Sequence, residues 1–144
     1  MAVLMPNGLS PTSHRFFSQR LRMHFVEWGP SEAPTVVLVH GVRDHCRTWD
    51  DLIARLSMLG EYHFVAPDLR GHGDSDWVQG AGYRYIDYLY DLQQLIEQND
   101  LGPVILAGHS LGGAIASFFA GVFPEWVSKL VLLEGIGLWS RDNA

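Results

Sequence analysis

Residues 103–121 read PVILAGHSLGGAIASFFAG: an apolar run closing on a glycine, a histidine and a serine, then two glycines and a stretch of small and aromatic residues. Val104 to Ala107 have the continuous apolar character of a strand buried on both faces, and Leu111 to Phe123, stopped by Pro124, reads as a helix. Ser110 therefore stands at a strand-to-helix joint. Gly108 and Gly112 flank it, as a turn this sharp requires where neighbouring backbone comes close.

The same strand pattern recurs on both sides of this joint. TVVLVH (35–40), YHFVAPD (62–68) and KLVLLEG (129–135) are further continuous apolar runs, which predicts parallel strands near 35–40, 62–67, 103–108 and 129–134. Between them, RTWDDLIARLSML (47–59) places Trp49, Leu52, Ile53, Leu56 and Leu59 at helical spacing. YRYIDYLYDLQQLIEQ (83–98) does the same with Ile86, Leu89, Leu92 and Ile96. Buried strands alternating with amphipathic helices predict βαβ units, a mostly parallel sheet with helices on both faces. Ahead of them, partial alternation over residues 14–28 predicts an antiparallel pair turning near Gln19 to Leu21. Residues 1–13, with the turn-rich PNGLSPTS, read as a flexible N-terminal segment, and residues 14–144 as one domain.

Composition narrows the class. The 144 residues are 47% hydrophobic and carry a formal net charge of −6, which disfavours nucleic acid and anionic membranes as partners, since both reward a basic face. Cys46 is the single cysteine, so no internal disulfide forms. With neither a basic n-region nor a sustained apolar h-region at the start, the sequence predicts a cytoplasmic protein.

Gly108-His109-Ser110-Leu111-Gly112 is a Gly-x-Ser-x-Gly motif of the nucleophile-elbow kind. Roughly one chain in ten of this composition would contain the bare motif by chance, so its position after a strand and before a helix carries the weight. That position aims the Ser110 hydroxyl off the sheet edge and leaves the Leu111 N–H unpaired at the helix start, facing where an oxyanion could form. Helix capping by Ser110 is the plainer alternative.

Three segments in order, VLVHGVRDHCRTWD (37–50), VAPDLRGHGDSD (65–76) and AGHSLGG (107–113), resemble the N-terminal half of an α/β-hydrolase over roughly residues 20–138. The resemblance implies an incomplete core with strands 1–6, lacking the cap and the last two strands. It also implies that the Val42 N–H, after His40-Gly41, is the second oxyanion donor, with His40 shaping the loop. His72 takes a structural role, and Asp68 and Arg70 hold loops at the rim. His109, in a variable position of the elbow, points away from substrate. Relatives that open epoxides or cleave carbon–halogen bonds carry aspartate at the elbow. Serine suits acyl transfer, hence an ester, thioester, lactone or related small-molecule carbonyl substrate.

No cofactor or metal is indicated. The Gly71–Gly73 turn lacks a third glycine for a dinucleotide, no Gly-x-x-x-x-Gly-Lys occurs, and His40, Asp44 and His45 match no helical histidine pair. In this fold the triad runs Ser, then Asp or Glu, then His, yet residues 111–144 contain no histidine. The base is thus expected outside this chain. Glu134, closing KLVLLE, is the candidate acid, whereas Glu125 reads as a surface charge. Two readings follow: a serine hydrolase inactive as this fragment alone, or a non-catalytic fragment or ligand-binding pseudoenzyme. The apolar KLVLLE edge predicts self-association or a complementing C-terminal half.

Overall fold

The computed structural model describes residue 5 and residues 8–135. Six strands form one sheet: β1 (Thr12–Ser18), β2 (Leu21–Trp28), β3 (Thr35–Val39), β4 (His63–Pro67), β5 (Val104–His109) and β6 (Val127–Leu133). Their spatial order is β1-β2-β4-β3-β5-β6. β1, β2 and β4 pair antiparallel, whereas β4, β3, β5 and β6 run parallel. The parallel strands are those the continuous apolar runs predict. β1 starts at Thr12, before the expected 14, and Gln19 and Arg20 make the hairpin turn with positive φ.

Alternation along each buried strand divides the core between two faces. Val37, Val39, Val65 and Leu106 point to one face and pack under α2 (Tyr85–Gln98) and α3 (Leu111–Val122). Val36, Leu38, Phe64 and Ala66 point to the other, against a 3-10 turn at Cys46–Trp49 and α1 (Asp50–Leu56), with Met5 and Trp28 in the same cluster. Val and Leu residues on both sides of β3 are what allow helices to cover both faces.

Two helix readings need correction. α1 stops at Leu56, short of the predicted 59, because Ser57 turns its hydroxyl back onto the Ala54 carbonyl at 2.9 Å, competing with helical bonding. Leu59 is consequently 82% exposed. In α2, Ile86 lies on the solvent side and Leu95 joins the core in its place. The helix begins at Tyr85, where the Asp87 carboxylate accepts from the Arg84 amide at 3.0 Å, and its buried stripe runs through Tyr88, Leu89, Leu92, Leu95 and Ile96.

Because β3 lies between β4 and β5, the chain leaves β3 toward one side of the sheet and later returns to the other. This makes a crevice at the carboxyl ends of β3 and β5, the place where open α/β sheets bind ligands. Among the described residues β6 is paired on one side only, and Leu130, Val131, Leu132 and Leu133 are exposed. An apolar groove of about 340 Å³ runs beside it, between Leu52, Leu56 and Leu59 and the strand residues Val131 and Leu133. No helix among the described residues is long and apolar enough to cross a membrane.

Candidate active site

Ser110 occupies the single residue between β5 and α3, with φ 54° and ψ −117°. This is left-handed backbone for a residue with a Cβ, a conformation that surrounding structure must impose. Three bonds impose it here. The Ser110 N–H donates to the Leu133 carbonyl at 3.1 Å, and the Ser110 carbonyl accepts from the amides of Gly113 at 3.0 Å and Ala114 at 3.2 Å.

The flanking glycines answer to close approach. A Cβ on Gly108 would overlap the Gly112 carbonyl, and one on Gly112 would overlap the Val39 carbonyl. Strand β5, helix α3 and the end of β3 meet there without room for a methyl group. Gly41 brings the next loop in: its missing Cβ would sit 3.2 Å from the Ser110 Cβ and 3.3 Å from His109 Nδ1. Residues 40–42 thus rest against the serine. Among the described residues, neither the Val42 N–H nor the Leu111 N–H donates a hydrogen bond.

His40 holds that loop. It is fully buried, its Nδ1–H donates to the Gly41 carbonyl at 2.7 Å, and its Nε2 accepts from the Leu69 N–H at 3.0 Å. Both ring nitrogens are thereby used by a neutral imidazole. Burial pulls its pKa below the usual histidine range, and nearby His72 adds to this, against opposing contributions from the Gly41 carbonyl, Asp68 and Asp44. His72 packs against His40 with ring centres 5.2 Å apart and the rings tilted by 60°, and it bonds the Arg70 carbonyl through Nδ1 at 2.9 Å.

His109 is half-exposed and turns toward Glu134, Nε2 to Oε2 3.9 Å, a long ion-pair distance. Glu134 has positive φ, 51°, and its side chain is 92% exposed. Ser110, Val42, Leu111, His109 and Glu134 therefore gather at one edge of the sheet. Among the described residues, the side chains of His40, Asp44 and His45 do not gather into a metal-binding group.

Two buried networks support this edge from behind. Arg70 forms a fork on Asp91, Nε–Oδ2 2.6 Å and Nη2–Oδ1 2.7 Å, and donates to the Gly82 carbonyl at 2.6 Å. It pins the loop after β4 to α2. Asp68 accepts from the amides of Cys46 at 2.6 Å and Asp74 at 2.9 Å and lies 2.7 Å from His24 Nδ1. Burial opposes its ionisation, but these donors outweigh it and the carboxyl sits below its usual range. Sequence reasoning identified Asp68 and Arg70 and missed their partners His24 and Asp91, which no local pattern marks.

Comparison with known proteins places this arrangement. The family described as alpha/beta hydrolase fold matches residues 34–143. Lipase LipV of Mycobacterium tuberculosis is 38% identical over 112 residues, covering 78% of this chain and 41% of that protein. Among solved structures, a putative lipase from Acinetobacter baumannii superposes with TM-score 0.84 at 30% identity, covering 93% of this chain and 44% of its own. The thioesterase domain of the curacin biosynthetic pathway gives TM-score 0.81 at 28% identity, covering 88% and 47%. The chain spans between 31% and 52% of the length of curated relatives it matches.

Proposed function

The chain belongs to the alpha/beta hydrolase fold family, and from that premise we propose that Ser110 is the nucleophile of a serine hydrolase acting on an ester, thioester, lactone or related small-molecule carbonyl compound. The observation that carries this reading is the backbone of Ser110, held at φ 54° between a buried strand and a helix with the Gly41 loop against its Cβ. Strain of this kind is retained where it positions a reactive group. Ser110 Oγ bonds to the carbonyl carbon as its proton passes to a base, and the Val42 and Leu111 amides take the charge developing on the oxygen. The leaving group departs with a proton, and water then releases the acyl group.

The base is the part this segment does not offer. No histidine follows Ser110, and His40 spends both ring nitrogens on the loop. We assign the base to a polypeptide segment beyond these 144 residues, and Glu134, at the strand end beside the elbow, is the candidate acid. The alternative reading is a non-catalytic fragment or ligand-binding pseudoenzyme that keeps the pocket loops.

p-Nitrophenyl acetate hydrolysis separates the two. On the hydrolase reading, a longer chain bearing a downstream histidine turns the ester over and reacts with a fluorophosphonate, both lost in Ser110→Ala, while the 144-residue chain stays near background. Removing a triad member leaves ~10³ to 10⁴-fold over water even in complete sites. Turnover unaffected by Ser110→Ala in the longer chain overturns the assignment.

A further inference from the structure

We propose that His24, Cys46 and Asp68 form a zinc site that clasps the loop carrying Val42 to the β1–β2 hairpin. The three come from separate segments: His24 from β2, Cys46 from the 3-10 turn after the Gly41 loop, and Asp68 from the end of β4. All three are buried, at 5%, 2% and 2% exposure. An imidazole nitrogen, the thiol sulfur and a carboxylate oxygen lie within 4.8 Å of one another. Zinc bonds of about 2.0–2.3 Å put tetrahedral ligand atoms about 3.5 Å apart, so small side-chain adjustments close the site.

The chemistry of the donors selects the metal. Thiolate, imidazole and carboxylate together suit Zn²⁺, whereas Mg²⁺ and Ca²⁺ require oxygen ligands throughout. The surroundings are ready for it. His24 Nε2 lies 3.1 Å from Ser13 Oγ, which fixes the ring once Nδ1 is a ligand, and the Cys46 and Asp74 amides already orient the Asp68 carboxylate. A cleft of about 200 Å³, reaching Ser13, His45 and Asp74, gives the ion a route and room for a fourth donor.

The proton balance is definite. In the metal-free protein one hydrogen bridges His24 Nδ1 and Asp68 Oδ2 at 2.7 Å. Burial and the Asp68 carboxylate keep the Cys46 thiol protonated far above its usual range. Zinc takes the place of both hydrogens: the thiol proton is released to solvent, and the single proton of the neutral ring moves from Nδ1 to Nε2, where it faces Ser13 Oγ. One Zn²⁺ bound thus releases one proton from Cys46, with no change of oxidation state.

The inference does not depend on Ser110 being a nucleophile. Chelator-treated protein under a thiol-free reductant is titrated with CoCl₂, then with ZnCl₂ in competition. The expected result is one Co²⁺ per chain with a near-ultraviolet thiolate-to-cobalt charge-transfer band, displaced by zinc. Cys46→Ser abolishes the band, and zinc affinity falls on the order of 100-fold or more, because losing even an outer partner of a ligand costs 10–100-fold. His24→Gln weakens binding similarly while keeping the thiol. The wild-type spectrum needs no variant to fold: cobalt bound without a thiolate band, or no cobalt bound, overturns the site. So does a Cys46→Ser protein that binds zinc as tightly as the parent.

Discussion

The Ser110 amide donates to the Leu133 carbonyl at 3.1 Å, so the residue that turns the chain from β5 into α3 is held by the last residue of β6. Among the described residues the Val42 and Leu111 amides have no such partner. Hydrogen exchange on the folded protein should separate them: the Ser110 amide exchanging at least about 100-fold more slowly than those of Val42 and Leu111. Equal rates at the three would mean that the elbow is not fixed by the edge strand.

Backbone strain at Ser110 predicts opposite effects for two neighbouring substitutions. Ser110→Gly relieves the left-handed conformation and should raise unfolding free energy by about 1 kcal/mol while abolishing serine chemistry. Gly112→Ala drives a methyl group into the Val39 carbonyl and should cost about 2–4 kcal/mol, or prevent folding. Urea denaturation of both variants checks the pair. A Ser110→Gly protein clearly less stable than the parent would show that the turn is not strained.

His40 sets a pH dependence whose sign follows from its lowered native pKa. The unfolded chain takes up a proton near pH 6.5 that the native ring refuses, so His40 costs no stability above about 6.5 and stability falls as pH drops below it. Asp68, whose carboxyl is also lowered, acts in a separate window, its contribution falling away only below about pH 4. His40→Asn should be less stable by about 1–3 kcal/mol at neutral pH, since the Leu69 amide loses its acceptor. Its melting temperature should nevertheless drop less than the parent's between about pH 7.5 and pH 5. An equal drop in both proteins would remove His40 as the source.

The open side of β6 and the groove beside it lead us to propose that the 144-residue chain associates with a second copy of itself. Unpaired, apolar strand edges are templates for pairing, and Leu130 to Leu133 are exposed next to the cleft between α1 and the sheet. Sedimentation velocity at tens of micromolar should show species above monomer mass, reduced in Val131→Lys. A single monomeric boundary would refute this.

The parts of the molecule legible in the sequence were those encoded locally. Four parallel strands announced themselves as continuous apolar runs, and Ser110 by a motif that fits within five residues. Helix faces were less readable. The spacing from Trp49 to Leu59 stays helical beyond the point where the Ser57 side chain ends α1, and a periodicity cannot register that competition. The contacts behind the site were not legible at all. Arg70–Asp91 and His24–Asp68 join residues 21 and 44 positions apart, brought together by the strand order and not by any nearby pattern.

That strand order also governs how the chain is made. Synthesis is vectorial and domains assemble as their parts appear, yet β3, translated early, pairs with β4 on one edge and with β5 on the other. From the time Val36–Val39 leaves the ribosome until residues 104–109 follow, this apolar strand has at least one edge without its native neighbour. β3, one of the two middle strands of the finished sheet, is thus an apolar segment whose open edge benefits from shielding during synthesis.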